Sequence, residues 1–168
     1  MNFIMSVLAV VLLFNGPGTP AAIAGEVVAF DPAAEPGAII VRTSERKLYL
    51  VLGGGRALRY PVAVGRVGRQ WSGSSFIEGK HIRPNWAPPA AVRLAQPNLP
   101  AVIASGSPAN PMGAAALTLS GGEYAIHGTN RPESIGKFVS YGCIRMYNED
   151  IIELYARVSI GAPVVVVR

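Results

Sequence analysis

Hydrophobic positions in this chain come in short runs broken by glycine- and proline-rich turns, the pattern of a strand-rich fold rather than a helical bundle. Residues 38–41 begin strand-like. Lys47-Leu48-Tyr49-Leu50-Val51-Leu52 reads as a strand, Gly53-Gly54-Gly55 as a turn, and residues 57–64 as the returning strand. Residues 38–64 are thus expected to form a small antiparallel meander, and residues 76–83 a further strand. Residues 115–119 and 123–127 flank Ser120-Gly121-Gly122 as the arms of a hairpin. Near the end, Pro163 opens Val164-Val165-Val166-Val167, an unbroken β-branched run expected of a buried strand.

One stretch departs from this pattern. Ile151, Leu154, Tyr155 and Val158 recur at the i, i+3, i+4, i+7 spacing of an amphipathic helix, with Ile152 beside them. Asn148 stands where an N-cap belongs, Glu149 and Asp150 bring negative charge to the first turn, and Gly161 and Pro163 end the helix. Residues 84–111 hold seven of the 14 prolines together with Trp86. A loop that long in a compact domain is commonly a functional flap, although a proline-stiffened surface loop fits the same composition. The expected fold is mainly β: one sandwich-like domain of mixed sheets over residues 38–168, with one amphipathic helix and a long proline-rich flap. An arm of little regularity at residues 25–37 precedes it.

The N-terminus adds a compartment. Residues 1–14 are almost wholly apolar, Asn15-Gly16-Pro17-Gly18 would break a helix, and Ala22-Ile23-Ala24 is a small-x-small cleavage site followed by Gly25. The apolar run falls short of the about 20 residues needed to cross a bilayer. A cleaved export signal over residues 1–24 is therefore expected, with the periplasm or cell wall as destination and no membrane span after cleavage. The missing basic side chain ahead of the run is the feature an uncleaved anchor would explain. No cysteine lies near the cleavage site, which excludes a lipoprotein.

Charge then narrows the partners. Fifteen basic residues against ten acidic give a formal charge of +5, but they are scattered, with no dense run and no RNA-binding aromatic motif. Nucleic acid is not expected, while an anionic cell envelope suits the balance. In an exported chain the single cysteine, Cys143, excludes an internal disulfide, and two histidines exclude a zinc cluster of four Cys/His ligands. No metal and no organic cofactor is expected.

Candidate chemistry lies in residues 125–146, AIHGTNRPESIGKFVSYGCIRM. His127 falls at the end of an expected strand. Gly142 immediately precedes the thiol and permits a tight turn whose N–H groups converge on one point, as an oxyanion hole requires. Arg145, two residues beyond Cys143, would favour a thiolate. A thiolate with an imidazole partner is a common nucleophile arrangement. Spacing alone leaves two readings open: a catalytic pair, or a satisfied structural histidine and an inert thiol. Trp71 and Trp86 read as core or rim residues, and His81 as a bystander.

Taken in order, His127-Gly128-Thr129, Ile135-Gly136 and Ser140-x-Gly142-Cys143-Ile144-Arg145-Met146 resemble the catalytic signature of the L,D-transpeptidase (YkuD-like) family of secreted bacterial cell-wall enzymes. Asn110-Pro111-Met112-Gly113 resembles that family's Asn-Pro-Leu-Gly segment. Residues 62–65 resemble the strand and turn leading into its cleft, and the likeness covers most of the chain after the signal. The resemblance implies the family's catalytic fold. It also implies Cys143 as nucleophile, His127 as base, the Gly128 carbonyl as orienter, and the N–H groups of Tyr141, Gly142 and Cys143 as oxyanion donors. Ser140, Arg145 and Thr129 would meet substrate, although a turn-holding Ser140 and a salt-bridged Arg145 fit equally. The implied reaction is acyl transfer on peptidoglycan stem peptides, with D-alanine released and a 3→3 cross-link formed. Water, giving carboxypeptidase activity, or a lipoprotein lysine is an alternative acceptor, and a non-catalytic peptidoglycan-binding module is a further reading. The chain departs from the family pattern in three places. Tyr141 replaces a frequent histidine, residues 70–76 replace Thr-Pro-x-Gly-x-Phe while keeping its glycine and phenylalanine, and Ala115 replaces a frequent arginine.

Overall fold

The computed structural model describes residues 25–168 except Glu123; the expected export signal lies outside the described residues. Eleven strands and two α-helices follow in the order β1 (Glu26–Ala29), β2 (Ile39–Arg42), β3 (Lys47–Gly53), β4 (Arg56–Pro61), β5 (Val64–Gly65), β6 (Gly73–Ile82), α1 (Ala90–Ala95), β7 (Ala115–Leu119), β8 (Ala125–His127), β9 (Phe138–Ser140), β10 (Ile144–Arg145), α2 (Asn148–Arg157) and β11 (Pro163–Val167). A single 3₁₀ turn spans Pro132–Ser134. The fold is mainly β with one principal helix, as the hydrophobic pattern implies.

Nine strands form one mixed sheet in the order β1-β4-β3-β2-β11-β6-β7-β8-β10, and β5 pairs with β9 in a second, two-stranded sheet. β2, β3 and β4 make the expected antiparallel meander. β7 and β8 make the expected hairpin arms. β6 joins the halves: Gly73 to Phe76 pair with β11, whereas Ile77 to Ile82 pair with β7 across an irregularity between Ile77 and Gly79. A strand that changes partner at a bulge lets a sheet turn a corner. The result is one core in which Ile39, Val41 and Leu48 from one half meet Leu117, Ile126 and Ile144 from the other. Ile151, Leu154 and Val158 of α2 are buried in the same core, whereas Ile152 is exposed. The apolar stripe of α2 faces inward as its spacing requires.

Three local expectations need correction. The arm at residues 25–37 is not irregular throughout, because β1 pairs antiparallel with β4 from Glu26↔Arg59 to Ala29↔Arg56. Four residues carry too little alternation to announce a strand; the unpaired edge of β4 recruits them. The proline-rich flap is not all loop either: it contains α1, and a Trp86↔Ile103 bridge closes it on itself. Finally, Asn148 does not cap α2. Tyr147 holds the cap position without a side-chain bond, and the Asn148 amide is engaged elsewhere. Among the described residues no helix is long and apolar enough to cross a membrane.

Candidate active site

β8 ends at His127 and β10 begins just after Cys143. Their parallel pairing sets Arg145 opposite His127 and Ile144 opposite Ile126. Side chains of paired residues share a sheet face, and so do residues two apart along an extended strand. His127, Arg145 and Cys143 therefore converge, and all three line one cleft of about 310 Å³ with Tyr124, Trp86 and Arg69. Two elements bring the histidine and thiol to one cleft although they lie 16 positions apart in sequence.

His127 is buried, and its Nδ1 lies 2.7 Å from the Gly128 carbonyl oxygen. A carbonyl only accepts, so Nδ1 carries the proton and Nε2 of the neutral ring keeps its lone pair. Burial first, and then the Arg145 charge, pull the imidazole down to about 4, with the Gly128 and Pro111 carbonyls opposing. The ring is thus neutral at neutral pH. The Arg145 Nε is buried and has no hydrogen-bond partner, and no carboxylate pairs with this guanidinium among the described residues. The salt-bridge reading of Arg145 is therefore not the one observed. Burial lowers its affinity for a proton, whereas the neighbouring Cys143 acts in the opposite sense.

The turn before the thiol is held from three sides. Ser140 Oγ donates to the Cys143 carbonyl at 2.6 Å and accepts the Gly142 N–H at 3.1 Å, so Ser140 ties the turn. The Gly142 N–H, expected to face an oxyanion, is occupied within the turn itself. Trp71 Nε1 donates to the Gly142 carbonyl at 2.9 Å, and the Trp71 ring stacks on Tyr124 at 5.0 Å and 6°. On the opposite side the Arg66 N–H donates to the Ser140 carbonyl, and Ala63 and Arg145 exchange both backbone hydrogen bonds. Gly142 has φ 127°, and a Cβ there would meet the Tyr124 ring at 2.2 Å. No other residue fits.

Thr129 stands apart from the cleft. Its hydroxyl accepts the Arg131 N–H, its backbone N–H and carbonyl both bond the Asn148 amide, and it lines a separate depression. In this structure Thr129 holds the loop after His127 and does not line the cleft shared by His127 and Cys143. Asn148 Oδ1 also accepts the Ala114 N–H at 3.0 Å, so one side chain ties the segment after His127 to the segment before β7. Tyr141 lines the cleft beneath two cations, with the Arg66 and Arg69 guanidinium carbons 4.1 and 5.8 Å from its ring centre. Trp71, Tyr124 and Asn148 are positioning groups that motif reading missed. The only signal was indirect: Trp71 lies in residues 70–76, where the family pattern is broken. His81 is exposed on β6. Among the described residues no group of three or more His, Cys, Asp and Glu is placed to hold a metal ion.

The L,D-transpeptidase catalytic domain (YkuD) matches residues 36–166, nearly the whole described chain. The chain belongs to the L,D-transpeptidase family. A curated relative named "Probable L,D-transpeptidase YbiS", from Escherichia coli (strain K12), is 38% identical over 135 residues, covering 75% of this chain and 43% of that protein. The chain thus spans less than half the length of that relative. YkuD of Bacillus subtilis (strain 168), named to the same family, is 36% identical over 138 residues, covering 82% of this chain and 70% of its own. Among solved structures, L,D-transpeptidase 3 of Mycobacterium tuberculosis superposes with a TM-score of 0.62 at 16% identity, over 78% of this chain and 60% of that one. The catalytic domain of an E. faecium L,D-transpeptidase, acylated by ertapenem, gives 0.60 at 21% identity, over 80% of this chain and 98% of that one. These two likenesses establish the L,D-transpeptidase fold.

Proposed function

We propose that this L,D-transpeptidase acts by cysteine acyl transfer on peptidoglycan stem peptides, with Cys143 as nucleophile and His127 as base. One observation carries the reading: the β8–β10 register brings the thiol, a Nδ1-protonated imidazole and a half-buried guanidinium, whose Nε has no hydrogen-bond partner, to one cleft. His127 Nε2 takes the Cys143 proton, and the thiolate attacks the carbonyl of the third stem residue, diaminopimelate. The C–N bond to the terminal D-alanine breaks, and its amine leaves with the proton from His127. The N–H groups of Tyr141 and Cys143 are assigned to the oxyanion, because the Gly142 N–H serves Ser140. Losing one such donor typically costs about 2.7–4 kcal/mol of barrier.

Arg145 and Arg69 line the cleft and supply the positive charge for substrate carboxylates. A second stem's amine then attacks the thioester, passes its proton to His127 and forms the 3→3 cross-link, regenerating the thiol. Export to the periplasm or cell wall, where such stems occur, completes the reading. Incubating the exported protein with tetrapeptide muropeptides tests it by mass spectrometry. Dimers lacking one D-alanine are expected. Tripeptide without dimer would make water the acceptor, a product carrying a lipoprotein lysine would redirect the transfer, and unchanged substrate would reduce the chain to a binding module.

A further inference from the structure

Gly25 lies far from the cleft in sequence and is held with unusual definition. Its backbone N–H donates to Glu153 Oε2 at 2.9 Å, and the Tyr60 hydroxyl donates to the same oxygen at 3.1 Å. Glu153 Oε1 is bonded by Arg157 at 3.0 Å, which fixes the carboxylate's orientation. A Cβ at residue 25 would come within 2.5 Å of the Tyr60 ring. Tyr60 is fully buried, so a side chain at residue 25 would push the strand end away from Glu153. The β1–β4 ladder begins at the next residue, Glu26↔Arg59, and sets the chain's height on this socket.

Charges of both signs surround this nitrogen: Arg157 pairs with Glu153, Arg59 pairs with Glu26, and Lys47 lines the depression beside Gly25, against the carboxyls of Glu26, Glu149, Asp150 and Glu153. Asp150, in the first turn of α2, is buried and lines the same depression. Burial, then Glu149 and Glu153, push its carboxyl up to about 6. Burial also pushes the Glu153 carboxyl up, but the Gly25 N–H, Arg157 and Tyr60 together leave it below its ordinary value. The Glu153 oxygen that accepts the Gly25 N–H would bond a charged donor at the same place more strongly than a neutral amide. The sequence places its cleavage signal, Ala22-Ile23-Ala24, directly before this glycine.

We propose that the α-ammonium group released by cleavage between Ala24 and Gly25 docks on Glu153 beside Tyr60, so that export processing itself locks β1 onto the domain edge. In that step an export signal peptidase adds water across the Ala24–Gly25 bond, Ala24 departs as a carboxylate, and Gly25 keeps its nitrogen as an ammonium. The docked group exchanges one peptide N–H for a charged donor on the same carboxylate oxygen, with Asp150 adding attraction.

The test uses the full chain with its leader, exported from a bacterial host and isolated. Intact mass is expected to show a chain beginning at Gly25. Acylation of the α-amine by an activated ester at pH 7 is then followed in the wild type, Glu153→Gln and Gly25→Ala. Only the free amine reacts, so an ion pair that raises its pKa by about one unit slows the reaction about tenfold. The wild type is expected to react about tenfold more slowly than either variant. Gly25→Ala alters only the strand end and keeps the comparison available should Glu153→Gln fail to fold. A mature chain beginning elsewhere, or a wild-type rate equal to that of Gly25→Ala, would overturn the proposal.

Discussion

His127 sits where burial and the Arg145 charge both oppose protonation, and that environment sets a measurable pH dependence. The base we propose works only when neutral, so the acid limb of kcat/KM is expected near pH 4 rather than at the ordinary histidine value of about 6.5. Arg145→Met removes the second cause and leaves the first, so the limb should move upward yet stay below about 6.5. The linkage to stability has a definite sign. Because the folded-state value is depressed, protons bind the unfolded chain more tightly, and stability present above about pH 6.5 is lost as pH falls toward 4. His127→Gln should flatten that part of the profile, read as denaturant midpoints between pH 7 and 4. Ser140 joins both ends of the turn that carries Cys143 through one hydroxyl. Ser140→Ala is expected to keep the fold and lower kcat/KM about tenfold to a hundredfold, since an unmet buried donor costs about 1–3 kcal/mol; Ser140→Thr should recover part of the loss.

Elements differ in how plainly the sequence announces them. The β2–β4 meander, the β7–β8 arms and α2 each rest on local periodicity and turn residues, and each appears close to its expected place. β1 and α1 carry no comparable signal, one being a four-residue edge strand and the other six residues among prolines. Asn148 shows why motif logic fails at element ends. An asparagine before an apolar helix reads as a cap, yet three backbone groups of facing segments take its amide instead. Asn148→Ala should cost about 1–3 kcal/mol and loosen the segment after His127, seen as a lower midpoint and a reduced kcat. Asn148→Asp keeps the two accepted bonds and should recover part of both. The Trp71–Tyr124 stack likewise depends on partners distant in sequence. Trp71→Phe would keep the stacked ring but lose the bond to the Gly142 carbonyl. A fall in kcat with little change in KM is expected.

At the scale of the whole molecule, the sheet is completed by its last strand. β11 lies between β2, to which it is parallel, and β6, to which it is antiparallel. The valine run marks the strand, but its expected burial holds only for Val164 and Val166, since Val165 is half-buried and Val167 exposed, and periodicity carries no information about its neighbours. The His127–Cys143 convergence is similar. The motif named both residues, whereas the parallel β8–β10 pairing that joins them is a tertiary fact. Helix α2 packs against β7 and β8, with Ile151 and Leu154 in the common core. Ile151→Ala should therefore cost about 2–5 kcal/mol, with activity per folded molecule nearly unchanged below the melting range. The most direct measurement of the central claim is an acid-quenched reaction of the exported protein with a stem tetrapeptide, followed by intact-mass and peptide-mapping mass spectrometry. The expected result is an adduct equal to the substrate less D-alanine, confined to the peptide bearing Cys143 and absent from Cys143→Ala. An adduct of that mass persisting in Cys143→Ala, or D-alanine release continuing without the thiol, would contradict it.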